Sequence, residues 1–427
     1  MTNAPQPPPS SVGQDSASRG RIVAWTLFDF ANTAFYVLIL TVGYPLYFKK
    51  VVSADSLQGD ALWGIAFSIS MFIVALLSPV LGAVADYGAG KKRFLGIFTA
   101  VCLAATAGLF FVHESMILWG IILLVFANIG FEAGLVFYDA FLPEITTERS
   151  YGRVSGYGFA VGYVGSLVTL FAALPLYAGG FEPANLLNVR LSFVMAAVFF
   201  FVFAIPLFVF VPDRQRFAPL KLNFAKIGFE RLRNTAQQFP AYRNVAKFLL
   251  SYFIYIDAIN TIIVFSSIFA DETLHLTTME IIYFFIIVQT SAIVGSIAFG
   301  LLADKLGHKQ TLTFSLLIWV VIVVIAYFTA DKTTFFIVGV LAGIALGSSQ
   351  SSSRSLMSTL VPPEKKTEFF GFYSFFGKAS AILGPALFGI LSSNFNQRIA
   401  ILAIGGLLVV GLVLLQRVEV TRAKPSS

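Results

Sequence analysis

The chain has 427 residues, of which 57% are hydrophobic and 12% charged, with a mean hydropathy of +0.82 and a formal net charge of +7. Soluble domains carry about 25% charged residues, so half that share excludes a disordered chain and an ordinary water-soluble fold. No charge-rich block is long enough to form a soluble enzyme beside a membrane anchor. A spanning helix takes about 20 apolar residues, and the length then accommodates roughly twelve of them. The single cysteine, Cys102, allows no disulfide framework, and His113, His275 and His308 fall in separate connections. No metal site and no cofactor are expected.

Residues 1–20 are polar and contain Pro5, Pro7, Pro8 and Pro9, which reads as a disordered tail. They lack the apolar core of a cleaved signal, so the first span is expected to stay in the protein. Twelve apolar stretches follow. The first, 22–48, carries Asp29, Asn32 and Tyr36 on one helical face. The second, 60–84, leads through Gly82 into a short loop with Asp86, Lys91 and Arg93. The third is 94–112. The fourth, 116–142, carries Asn128, Glu132 and Asp139 down one side, and 154–178 and 190–211 complete a set of six. A polar interruption at 212–245 separates them from 246–270, which bears Asp257 and Asn260. The stretch 278–303 runs into a loop with Gly300, Asp304, Lys305, Gly307 and Lys309. Then come 311–329, then 334–360 with Gln350 and Arg354 one turn apart, 370–391 with Lys378, and 397–416 before the tail 417–427. Nothing alternates like barrel strands, and lipid leaves no unpaired backbone satisfied, so the fold class is all-α, a polytopic membrane protein with twelve transmembrane helices.

The basic residues sort by side. With the N-terminus inside, the tails and even-numbered connections hold 22 of the 29 Lys and Arg. The other side keeps Lys49, Lys50, Arg190, Lys332 and Arg398, and the loop 212–245 alone holds seven cations. This is the positive-inside pattern. It puts both termini in the cytoplasm and reads the net charge as a topology signal, not a nucleic-acid surface. The short connections favour a bacterial inner membrane.

The halves repeat. Asp29 to Thr33 reads DFANT and Asp257 to Thr261 reads DAINT; Gly82 to Asp86 reads GAVAD and Gly300 to Asp304 reads GLLAD. Pro143, Gly152, Gly158 and Gly165 recur as Pro362, Gly371, Gly377 and Gly384. The expected organisation is a tail at 1–20, a six-helix bundle at 21–211, a cytoplasmic linker at 212–245, a second bundle at 246–416 and a tail at 417–427. Parallel repeats flanking a midplane site are a transporter plan.

The loop GLLADKLGHK at 300–309 resembles the signature loop of the major facilitator superfamily. Gly300 and Gly307 permit close approach and a tight turn, and Asp304 can accept from free N–H groups at a neighbouring helix start. The first copy keeps Gly82, Asp86, Gly90, Lys91, Lys92 and Arg93, but has Tyr87 where the superfamily places a basic residue, and its second Gly is one position late. Trp25–Phe48, Arg153–Ser166 and Gln350–Pro385 resemble the vacuole-effluxer-like branch of that superfamily, also called the unknown major facilitator family. The resemblance implies two pseudo-symmetric six-helix bundles, a gating role for the two loops, and, from fungal members tied to vacuolar amino-acid release, an amino-acid substrate.

Six ionisable residues fall inside spans: Asp29, Glu132, Asp139, Asp257, Arg354 and Lys378. Each costs roughly 2.5–3.5 kcal/mol on insertion scales and is a functional candidate by default. All but Asp139, together with Asn32, Tyr36, Asn128, Asn260 and Gln350, define an expected polar cavity. Arg354 or Lys378 would hold a carboxylate; Glu132, Asp29 or Asp257 would face an ammonium or carry a coupling proton. The alternative is that these charges neutralise one another in fixed inter-helix pairs, and Asp139, near the cytoplasmic end, reads as a gating charge. The 46 Phe and 15 Tyr read as lipid-facing and core surface, with no aromatic cage. Span four lacks an Arg before a Gly and span five a Gly-Pro pair, which sets multidrug export aside. No phosphate-binding Gly-rich Lys loop is present, and the SSSRS run at 351–355 has no in-span His to activate a serine, so no enzyme is expected. The expected function is secondary active transport of a small polar solute, an amino acid first, by alternating access coupled to protons; the expected partners are that solute, protons and the bilayer, and the protein is expected to be a monomer. Carriage of sugars, nucleosides or small peptides, or a transport-dead sensor or scaffold, are the alternatives.

Overall fold

The computed structural model describes residues 18–420 apart from 54–55, 86–89, 214–232, 234–241, 363–364, 381–382 and 396. Asp86, most of the expected linker and most of both tails therefore lie outside the described residues. The spanning helices are α1 (Arg19–Phe35), α2 (Ser56–Val84), α3 (Lys91–Gly108), α4 (Ile117–Asp139), α5 (Tyr151–Tyr177) and α6 (Leu186–Phe210) in the first half. In the second half they are α7 (Arg243–Ile268), α8 (Thr278–Leu306), α9 (His308–Phe328), α10 (Lys332–Leu360), the pair α11a (Lys366–Ser380) and α11b (Leu383–Asn394), and α12 (Gln397–Gln416). Among the described residues, eleven helical stretches are long and apolar enough to cross a membrane. The α11a–α11b pair, between which residues 381–382 lie outside the described set, is the twelfth.

The first span runs past its expected end at 48. Arg19 to Val52 forms one element of 34 residues, with π turns at Tyr36–Thr41 and Phe48–Val52 around a short helix containing Pro45. Proline has no N–H to give, and wider turns take up the mismatch in the ladder.

Each half has its own apolar core. The first gathers Trp25, Phe28, Phe35, Tyr47, Phe137 and Phe193; the second gathers Phe248, Tyr255, Leu316, Trp319, Phe369 and Ile404. Lipid is as apolar as either core, so the halves meet instead through small residues that let backbones approach. Gly152 and Gly156 on α5 face Gly300 and Ser296 on α8, while Gly82 and Ser78 on α2 face Thr367 and Gly371 on α11a. A Cβ on Gly152 would lie 2.6 Å from the Gly300 carbonyl oxygen, and one on Gly156 would overlap the backbone at Ser296. All these contacts lie at the end that carries the two basic loops. The loops themselves share a device: Gly90 before α3 has φ +80° and Gly307 before α9 has φ +106°, a region closed to most side chains.

Candidate functional site

Arg354 stands about a turn and a half from the C-terminus of α10, and only 2% of it is exposed. Among the described residues, the hydrogen-bond and ion-pair partners of its guanidinium all come from the first half. Nη1 lies 3.3 Å from Asp29 Oδ2 on α1 and 3.1 Å from Asp139 Oδ1 at the end of α4. Nε donates to Ser155 Oγ at 3.0 Å and Nη2 to the Ser155 carbonyl at 2.9 Å, both on α5. The rings of Phe159, Trp25 and Tyr138 lie 4.0, 4.7 and 5.8 Å from the guanidinium carbon. A cation over aromatic faces gains electrostatic attraction that strengthens as water is excluded. Three of the aromatic residues read as lipid-facing or core surface therefore enclose a charge of the protein itself.

The walls of this socket are braced before the arginine enters. Trp25 Nε1 donates to the Tyr138 carbonyl at 3.1 Å, Tyr138 Oη donates to the Trp25 carbonyl at 3.2 Å, and the two rings stack at 4.7 Å. Gly158 leaves the space: a Cβ there would lie 2.6 Å from Arg354 Nη2 and 2.8 Å from Asp29 Oδ2. Asn32 Nδ2 approaches Asp29 Oδ1 at 3.5 Å. Ser155 Oγ in turn donates to the Ser351 carbonyl at 2.9 Å.

Two further contacts cross between the halves. Lys378 Nζ on α11a lies 3.0 Å from Glu132 Oε2 on α4, both side chains 12% exposed. Tyr163 Oη on α5 donates to Gln350 Oε1 on α10 at 2.5 Å. Tyr36, on the first span, is 51% exposed. Asp29, Asn32, Glu132, Asp139, Gln350, Arg354 and Lys378 thus share one inter-half interface. Asn128 is placed elsewhere: it is fully buried inside the first half and donates to Ser70 Oγ at 2.7 Å. Asp257 is 2% exposed within the second half, where Oδ1 accepts from the Gly384 N–H at 2.9 Å. Among the described residues no cation lies within ion-pair distance of it. Asn260 is half-buried beside it on α7. A separate apolar cavity inside the second half, lined by Ile262, Phe269, Phe284, Val338, Phe388 and Ile404, contains none of the in-span charges.

At the basic end, Asp304 accepts from the N–H groups of Gly152 at 2.9 Å and Arg153 at 3.2 Å, the free donors at the start of α5. Lys91 is 1% exposed, pairs with Glu144 and reaches the Ala140 carbonyl at 3.4 Å. Lys366 Nζ crosses to the Pro143 carbonyl at 3.1 Å. Lys309 Nζ instead holds the end of α12 through the carbonyls of Gln416 at 2.9 Å and Val418 at 2.7 Å. Arg93 and Lys305 are exposed. Sequence reasoning did not single out Ser155, Tyr163, Trp25, Tyr138, Phe159 or Glu144 as partners. Their signal was faint, since each matters through what the opposite half or a distant helix brings to it.

Residues 58–427 match the family described as "Vacuole effluxer Atg22 like". The chain is 33% identical over 402 residues to the "Uncharacterized MFS-type transporter YxiO" of Bacillus subtilis (strain 168), covering 92% of this chain and 93% of that one. Among solved structures, the human organic anion transporter MFSD10 (TETRAN) superposes with a TM-score of 0.74 at 14% identity, over 96% of this chain and all of that one. The proton:xylose symporter XylE gives 0.73 at 14% identity, over 94% of each chain. At that identity the structures speak for the fold, the major facilitator fold, and for nothing finer.

Proposed function

We propose, from the premise that this chain belongs to the vacuole effluxer Atg22-like family and is a multi-pass transporter of the major facilitator fold, not an enzyme, that it moves a small polar solute by alternating access coupled to protons. An amino acid is the best candidate for that solute. The moving units are 21–211 and 246–416, joined by 212–245, and both termini face the cytoplasm of a bacterium. The protein works as a monomer.

The observation that carries this reading is the Arg354 socket. One charged side chain from the second half is held by three helices of the first, at the end where Gly152, Gly156 and Gly82 bring the halves together. Such a contact is made in one state and broken in the other, which is what rocking of two repeats requires. It also moves Arg354 from the substrate-holding role to the gate. Lys378, Glu132, Gln350, Tyr163 and Tyr36, farther from that end, are the better placed to meet a solute carrying both a carboxylate and an ammonium.

The solute itself is the finer part of the proposal. The two structural neighbours are described as carriers of an organic anion and of xylose, so the fold alone does not choose it. Purified protein in liposomes is expected to accumulate labelled neutral amino acids when the lumen is made alkaline. Flux of a sugar, nucleoside or dipeptide in place of amino acids would replace the substrate. Absence of flux for all four classes would sink the transport reading.

A further inference from the structure

We propose that Asp139 takes up one proton per cycle and that this uptake releases Arg354 from the first half. The proposal rests on the transporter reading above and names where its coupling proton goes.

The two halves bring unequal charge to their interface. Asp29, Glu132 and Asp139 come from the first half; Arg354 and Lys378 come from the second. Three carboxylates face two cations, so the closed cluster holds one negative charge in surplus. When the halves part, both cations leave on the second half. The first half would keep two carboxylates, Asp29 and Asp139, that had shared one guanidinium. Leaving a buried charge without its partner costs about 3–5 kcal/mol, so the unprotonated cluster resists opening. One proton removes the surplus and leaves only Asp29 charged at the socket, where Asn32 remains beside it.

Among the three carboxylates, the geometry selects Asp139. Among the described residues Glu132 is the one carboxylate within ion-pair distance of Lys378, at 3.0 Å. Asp29 lies in the middle of α1 and its side chain is 12% exposed. Asp139 is 22% exposed, the most open to water of the three, and shares Arg354 with Asp29. It is also the last residue of α4, where the unpaired carbonyls concentrate partial negative charge. A second negative charge is least at home there. The groups that face Asp139 are Asp29 on α1, Tyr138 on its own helix, Tyr252 on α7, Arg354 on α10, and Tyr373 and Lys378 on α11a. Tyr163 on α5 faces Asp29 and Arg354.

Trp25 lies against the Arg354 guanidinium and reports on it without any solute being known. The full chain, labelled with 5-fluorotryptophan and held in lipid nanodiscs, carries four such residues, Trp25, Trp63, Trp119 and Trp319. The fluorine resonance of Trp25 is assigned by its loss in Trp25→Phe. From about pH 9 down to about pH 5 it is expected to shift in a step that fits one proton. Asp139→Asn is expected to hold the resonance at its low-pH position throughout, and Asp257→Asn to keep the step. An Asp139→Asn chain that titrates like the parent overturns the proposal. So does a parent step that needs two protons, or no step at all, and these last two need no variant to fold. Liposome flux tests the transporter reading separately: flux with an unmoved Trp25 defeats this inference alone, and a Trp25 step without flux defeats only that reading.

Discussion

Asp29 and Asp257 occupy matched places in the two halves, inside DFANT and DAINT, yet they are used differently. The scaffolds around them agree closely. On α1, Thr33 lies against Gly165 of α5; on α7, Thr261 lies against Gly384 of α11b, the repeat of Gly165. Asp29 then reaches out to a cation from the other half, whereas Asp257 turns to a backbone N–H of its own half. The difference comes from the neighbours. Arg354 on α10 has Leu135 at its matched place on α4, at the 219-residue offset that relates Pro143 to Pro362, so the first half sends no cation to Asp257. What α11b supplies is the backbone N–H of Gly384. The packing is the same in both halves, and a few side chains turn one copy toward a cation of the opposite half and the other toward its own backbone; on the function proposed above, the first is a gate and the second an anchor.

The largest effect expected is at the gate. Arg354→Met leaves Asp29 and Asp139 facing each other without a cation, and is expected to cost about 3–5 kcal/mol and to abolish transport. Thermal unfolding in detergent and liposome uptake measure the two. Next is Lys378→Met, which strands Glu132 at a cost of about 3 kcal/mol; adding Glu132→Gln is expected to return much of that stability. A double variant no better than Lys378→Met would mean the two side chains are not a pair.

The scaffold comparison is sharpened by Gly165→Ala and Gly384→Ala. Added methyls would meet Thr33 Oγ1 at 2.6 Å in one case and overlap the Thr261 hydroxyl in the other. Both are expected to cost about 1–3 kcal/mol, since overpacking acts alike in like scaffolds. Asp257→Asn should cost less, about 1 kcal/mol, because its amide oxygen still accepts from Gly384. It is expected to leave transport far less affected than Asp29→Asn, and equal losses would end the gate-and-anchor distinction.

The smallest effect lies at the other end of the protein. The Lys332 ammonium, with the Thr277 N–H and hydroxyl, holds the Glu280 carboxyl down at about 2. A carboxyl depressed on folding adds stability above its unfolded value near pH 4.3, and that share fades as pH falls toward 2. Lys332→Met should therefore lower the midpoint of thermal unfolding slightly at neutral pH, with the gap from the parent closing in acid.

Much of the fold was legible because hydropathy, length and repeat speak along the chain. The in-span charges were legible too, since lipid makes each one conspicuous. Their pairing was not. Arg354 and Asp29 are separated by 325 positions and Lys91 and Glu144 by 53, and nothing local marks such partners. Asn128 shows the limit of helical spacing, because sharing one side of a helix with Glu132 did not bring it to the same interface. Trp25, Tyr138 and Phe159 were hidden by abundance, three rings among many that pack in the ordinary way.

The Arg354 socket also bears on how the protein is made. Asp29 is synthesised 325 residues before the arginine that neutralises it. At about 5–20 residues per second the interval is on the order of tens of seconds. Through that time the first six helices sit in the membrane with an acidic pocket and no cation to fill it. They must be inserted with the pocket wet or carrying hydrogen ions, and synthesis of the tenth helix ends the wait. Assembly thus passes once through the same unfilled pocket that each working cycle would later reopen.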